Sequence, residues 1–113
     1  DLQALLRLRG AAFARVRRTA MGWRGAAVLR RNAAVALGNG LDRADVPALA
    51  EALHGDPSPL VRSHAAWALG RIASPRAVAV LRAAAARETD PAVAEEVTAA
   101  LDPTGPAAAF NHP

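Results

Sequence analysis

Six arginines, Arg15, Arg17, Arg18, Arg24, Arg30 and Arg31, crowd into one short stretch with Trp23 set among them. A guanidinium carries a permanent charge and a planar fork of N–H donors that matches a phosphate, and an indole offers a face on which a base can stack. These residue types point to a polyanionic partner, nucleic acid foremost. The excess is one-sided: residues 1–31 hold eight Arg against Asp1 alone, a local charge of +7, while residues 32–113 hold six Arg against nine acids, a charge of −3. No lysine occurs, and all-arginine usage beside abundant alanine also follows from a GC-rich coding bias, so both readings of the charge stand at this point.

Other chemistries find no residues to carry them. The chain has no cysteine, which excludes thiolate nucleophiles and Cys-ligated zinc or iron–sulfur clusters within it. His54, His64 and His112 lack a companion ligand four residues away, so no metal site is expected. There is no G-x-x-x-x-G-K-[ST] or G-x-G-x-x-G loop for a nucleotide phosphate, and no paired nucleophile and base, so no catalytic or cofactor-binding residue is assigned. Apolar runs such as "AAVLRRNAAVAL" are broken by arginine well short of the ~20 residues that a membrane span needs, and no signal peptide with a cleavage site is seen.

The elements that must position the arginines follow from composition and period. At 113 residues the chain fits one compact domain, and with 52% hydrophobic but only 4% aromatic residues its core is built from Ala, Leu and Val, which favours closely packed helices. Sliding the sequence by 32 residues lays Ala33, Ala34, Ala36, Leu37 and Gly38 on Ala65, Ala66, Ala68, Leu69 and Gly70; Val46 and Leu49 fall on Val78 and Leu81, and Pro59 and Val61 on Pro91 and Val93. Three units of two helices each are implied, the third decayed. The helices are expected over 2–8, 11–20, 26–37, 45–53, 59–72, 75–87 and 91–101. Ser58, Ser74 and Asp90 are candidate N-caps, each followed by proline at the first helical position, and Gly38 and Gly55 lie where helices would stop. Val61, Ala65, Ala68, Leu69 and Ile72 make one apolar stripe.

The expected fold is therefore all-α, an α-solenoid of six to seven helices. A period of 32 is shorter than the ~40 to 47 residues of ordinary HEAT units, so short HEAT-like repeats fit. The repeat domain covers 1–101, with basic N-terminal helices over 1–23 and repeats from 24; residues 102–113, "DPTGPAAAFNHP", read as a disordered tail.

Helical geometry sets Ser63, Trp67 and Gly70 away from the apolar stripe, with Arg71 beside them. Their counterparts are Arg31, Val35, Gly38 and Asn39 in the first unit, and Glu95 stands where Arg31 and Ser63 do, so the charge of this face runs from positive to negative. Arg30 and Arg62 sit at the stripe edge, with Asp56 placed to pair with Arg62 or with an arginine of the next unit. Asn32 and His64 read as half-buried polar groups bonded to a neighbouring loop, and Trp67 as a packing residue between units, with a base-stacking role as the alternative.

The stretches "RTAMGWRGAAVLRRNAAVALGN" and "DPSPLVRSHAAWALGRI" together resemble the C-terminal region of epoxyqueuosine reductases, from about Leu2 to Leu101. The most specific parts are R-N-x-x-x-A-L-G-N, here Arg31, Asn32, Ala36, Leu37, Gly38 and Asn39, and V-R-x-H-A-A-W-A-L-G, here Val61 to Gly70. The resemblance implies a cytoplasmic, monomeric, cobalamin-dependent iron–sulfur enzyme that reduces epoxyqueuosine to queuosine in tRNA. Its cofactors and catalytic residues would lie upstream of this region, and its terminal repeats would help hold the tRNA around the anticodon. On that reading Arg15, Arg17, Arg18, Arg24, Arg30 and Arg31 contact RNA phosphates, with Asn32, Asn39, Arg62, His64 and Arg71 as a second tier. A third reading, not exclusive of the first, has the basic helices dock on the upstream catalytic domain. The competing reading is a HEAT-like scaffold for protein–protein interaction. Two departures stand out: the stretch between Arg24 and Asn32 is longer than the family's R-G-L-x-R-N form, and Ala94 replaces the arginine that Arg62 leads one to expect in the third unit.

Overall fold

The computed structural model describes residues 1–8 and 26–103. Among them are six α-helices and no strand: α1 (Leu2–Leu6), α2 (Ala26–Gly40), α3 (Val46–Gly55), α4 (Pro59–Ile72), α5 (Pro75–Arg87) and α6 (Pro91–Leu101), with a single 3-10 turn at Arg43–Asp45 before α3. The expected helix over 11–20, and the tail from 104 onward, lie outside the described residues.

Alternate helices share a layer. The motif helices α2, α4 and α6 stack side by side, α3 and α5 pack behind them, and α1 lies against α2 and α3. The third unit contributes only α6 among the described residues, which is where the sequence repeat fades. One apolar core runs through the stack, from Leu6 and Leu37 through Leu49, Leu53, Val61 and Leu69 to Leu81, Val93 and Val97. Full burial of each such side chain stabilises the fold by roughly 1.5–3 kcal/mol. Between these the core is alanine: Ala33, Ala34, Ala48, Ala52, Ala65, Ala66, Ala68, Ala77 and Ala84 are all buried.

Small residues let the motif helices come close, and this corrects the expectation that Gly38 ends a helix. The helix α2 continues through it to Gly40, because Gly38 is a contact point rather than a stop. A Cβ built on it would lie 2.6 Å from Trp67 Cζ3 and 2.9 Å from the Cα of Ala68. One unit on, a Cβ on Gly70 would lie 2.8 Å from Ala100 Cβ and 3.1 Å from its Cα. Gly38 and Gly70 are 32 apart, as are Ala68 and Ala100, so each unit presents its glycine to the alanine of the next. Gly70 is therefore buried in an interface, not turned away from the packed side as a single-stripe reading of α4 has it. With neighbours on both flanks, α4 has more than one buried face.

Helix starts follow the sequence signals closely. Pro59, Pro75 and Pro91 open α4, α5 and α6, where the missing N–H would have had no helical partner. The Ser74 hydroxyl accepts from the Ala77 N–H at 3.2 Å, and Asp90 accepts from Ala92 and Val93 at 2.9 and 3.1 Å. Ser58 occupies the cap position of α4 without a side-chain cap bond; its own N–H instead donates to Asp56 Oδ1 at 2.9 Å. Helix ends show the period too. Leu41 and Ala73, again 32 apart, follow α2 and α4 with φ of 55° and 54°, a left-handed conformation that costs a side-chain-bearing residue about 1–2 kcal/mol.

Two outcomes follow for stability. Gly38→Ala and Gly70→Ala each remove a helix-weakening glycine, worth about 1 kcal/mol, yet overpacking against neighbouring backbone costs about 1–3 kcal/mol, and the balance is a lower denaturation midpoint. Ala73→Gly relieves the left-handed residue at an exposed position and raises the midpoint by the equivalent of a few tenths to about 1 kcal/mol. Chemical denaturation of the three variants beside wild type checks both signs.

Candidate nucleic-acid interface

The motif arginines divide into those that hold the frame and those that face outward. Arg30, on α2, reaches the loop leaving its own unit: Nε donates to Asp56 Oδ2 at 2.6 Å, Nη2 to Oδ1 at 3.0 Å, and Nη1 to the Leu8 carbonyl at 2.8 Å. The two side chains are 6% and 1% exposed. One period on, Arg62 of α4 does the same to the next loop: Nε and Nη2 donate to Glu88 at 3.1 and 3.3 Å, and Nη1 to the Asp56 carbonyl at 2.8 Å. Asp56 thus gives its carboxylate to Arg30 and only its backbone oxygen to Arg62, a correction to the expected pairing. The reason is reach: each arginine meets the loop between its own unit and the following one. Arg30, buried and bonded through all three guanidinium nitrogens, is accordingly corrected from phosphate contact to structural clasp, and Arg62 is held the same way.

Arg15, Arg17, Arg18 and Arg24 lie outside the described residues. Arg31 is half-buried, its Nε donating to Asn32 Oδ1 at 2.8 Å, and its terminal nitrogens make no hydrogen bond among the described residues. Asn32 and Asn39 are exposed, so Asn32 is not the half-buried group expected. His64 is half-buried, but its Nδ1 lies 2.8 Å from Leu60 O, a carbonyl of its own helix and not of a neighbouring loop. A carbonyl only accepts, so neutral His64 carries its proton on Nδ1 and presents Nε2 as an acceptor. Arg71 lies over the Trp67 ring, 5.6 Å from its centroid.

Across the motif layer runs a groove of about 350 Å³ lined by Val35 of α2, Ser63, His64 and Trp67 of α4, and Glu96 of α6. Sequence reasoning set Ser63 and Trp67 on the side of α4 away from the apolar stripe, read His64 as bonded to a neighbouring loop instead, and missed Glu96. The signal was available: Asn32, His64 and Glu96 occupy one register position at intervals of 32, one residue along from the Arg31, Ser63, Glu95 column. The chain has no thiolate to offer an iron–sulfur cluster, and no three metal-ligating side chains converge among the described residues.

Glu88 shows how tightly the second clasp is made. Burial pushes its carboxyl up, but the Asp90 N–H, the Arg62 guanidinium and the Thr89 N–H together outweigh that and hold it below the ordinary 4.5. A carboxyl depressed in the folded state adds stability above its unfolded value that is lost as pH falls through the folded one. Wild type should therefore lose its advantage over Glu88→Gln as pH is lowered below about 4.5, read from urea midpoints at several pH values. At neutral pH, Arg30→Ala strands a buried carboxylate and should cost about 3–5 kcal/mol. Arg62→Ala should cost less, since its side chain is 17% exposed and water can replace it.

The family model for HEAT repeats matches residues 24–102. The epoxyqueuosine reductase of Bacillus subtilis is 41% identical over 68 residues, covering 60% of this chain and 18% of that protein. That of Listeria monocytogenes is 38% identical over 77 residues, covering 68% and 20%. The crystal structure of epoxyqueuosine reductase with a tRNA-Tyr epoxyqueuosine-modified stem loop superposes with a TM-score of 0.78 at 32% identity, over 88% of this chain and 27% of that one. A structure of the B. subtilis enzyme gives 0.77 at 31% identity, with the same coverage. The chain spans about a fifth of the length of these curated reductases. The Arg-to-acid clasps, the glycine contacts and the stacked helix pairs are one repeat written with a 32-residue period, and the chain belongs to the HEAT-repeat family.

Proposed function

We propose that this chain is the tRNA-positioning repeat region of a cytoplasmic, monomeric epoxyqueuosine reductase, an enzyme that reduces epoxyqueuosine to queuosine in tRNA. The repeat region on this reading covers 1–101. It performs no redox chemistry itself; the cobalamin and 4Fe-4S clusters of the parent enzyme would be held by its upstream catalytic domain, against which this region packs.

The observation that carries the reading is the likeness, at a TM-score of 0.78, to a reductase solved with a tRNA stem loop, and the charge of the chain agrees with it. Residues 1–31 carry +7 while the remainder carries −3, so an RNA backbone is drawn to the first third of the chain. Arg15, Arg17, Arg18, Arg24 and Arg31 contact phosphates around the anticodon, with Asn32, Asn39 and Arg71 beside them. Arg30 and Arg62 act on RNA only indirectly, by fixing the spacing of the units that present the others.

Each phosphate neutralised releases counterions, so log affinity should fall linearly with log salt by roughly 0.7–0.9 per contact. Reversing Arg15, Arg17 and Arg18 to Glu should weaken tRNA binding at low salt and flatten that slope, as measured by filter binding or fluorescence anisotropy over a salt series. Undetectable tRNA binding at low salt, or binding untouched by the triple reversal, would sink the proposal.

A further inference from the structure

Resting on the RNA-binding reading, we infer that the groove between α2, α4 and α6 is a pocket for one unpaired nucleobase of the bound RNA, with a guanine-type Watson–Crick edge. Its walls are unlike the phosphate-facing arginines. Val35 and the Trp67 indole supply an apolar and an aromatic surface, and Ser63, His64 and Glu96 supply the polar groups, around about 350 Å³. That is the usual make-up of a small-ligand pocket, apolar walls with a few convergent polar groups.

The polar groups define the guest. The Glu96 carboxylate only accepts, and His64 is fixed by its Nδ1 bond to the Leu60 carbonyl at 2.8 Å, which leaves Nε2 as a second acceptor. A guest must therefore bring donors, and guanine carries two parallel ones, N1–H and the N2 amine, that fit a carboxylate side by side. Adenine presents a single amine beside an acceptor nitrogen and would meet the carboxylate with a lone pair.

A protein's lysine or arginine also brings donors, but two observations favour the base. The Trp67 indole walls the groove and offers a flat surface on which a base stacks, and Arg71, 5.6 Å from the ring centroid, already supplies that ring with a cation. Arg31 stands one helical turn from Val35 on α2, on the same face, placed for the phosphate of a nucleotide whose base enters the groove.

The test uses the full chain and a set of RNA stem loops differing at one unpaired loop position, which carries guanine, inosine or adenine. Inosine keeps N1–H and lacks the N2 amine. Wild type should prefer the guanine loop to the adenine loop on the order of 10-fold, as expected for a good bidentate contact, with inosine between them. Glu96→Gln, which replaces one acceptor by a donor, should erase the preference; its circular dichroism and melting verify that it folds. The wild-type salt slope reports the phosphate contacts separately. Equal affinity for the three loops with an ordinary salt slope overturns the pocket and leaves the RNA reading standing, whereas no binding of any loop overturns the RNA reading itself. Competition by an arginine-rich peptide that is lost in Glu96→Gln, without base preference in wild type, would assign the groove to a cationic protein side chain and equally overturn the proposal.

Discussion

Everything in this stack hangs on a charged group placed where water does not reach. The Arg30–Asp56 pair lies between the motif layer and the loop entering α4, and each of its members is almost wholly covered. Removing two charges from water is costly, and the cost is met only when the geometry is good and the remaining donors and acceptors are filled. Here the guanidinium meets both carboxylate oxygens and the Leu8 carbonyl, and the carboxylate also takes the Ser58 N–H. A pair of this sort often contributes no more to net stability than well-packed apolar residues of the same size. What it does supply is register: a shifted loop would leave the charge buried without its partner, so one arrangement of α2, Leu8 and the α4 entry is singled out.

The second determinant is smallness. Alanine and glycine at the facing positions let the motif helices approach until the backbone of one meets a methyl of the next. Dispersion between close surfaces then replaces the bulky interdigitation of a leucine-rich bundle. This explains how a chain so poor in aromatic residues buries a continuous core. The clasps and the small-residue contacts recur with one period, and both run out in the third unit, where Ala94 stands in the arginine column and Asp102 in the glycine column.

Much of this was legible from residues alone. The 32-residue period located the motif helices, the proline starts gave α4, α5 and α6 at their observed bounds, and the apolar stripe of α4 picked out four of its buried residues, Val61, Ala65, Ala68 and Leu69, while missing Ala66 and Gly70. Two kinds of information were not. Gly38 reads as a stop by its type, and only its neighbours reveal a close helix crossing, because glycine permits both. Asp56 lies near Arg62 in sequence, but the turn between α3 and α4 faces it toward Arg30, and sequence distance carries no record of that fold-back. The groove was half visible: His64 and Trp67 drew notice by their types, while nothing in the type of Glu96 marks it, because only the packing of α6 against α4 brings it to the groove.

The Gly38 contact has a meaning beyond packing. The same indole that presses its edge on Gly38 also walls the groove, so the distance between α2 and α4 fixes where that wall stands. The groove is thus a gauge machined by the backbone rather than a glove shaped by its guest. Any guest therefore meets a wall already set in place, and little ordering of the protein accompanies its binding.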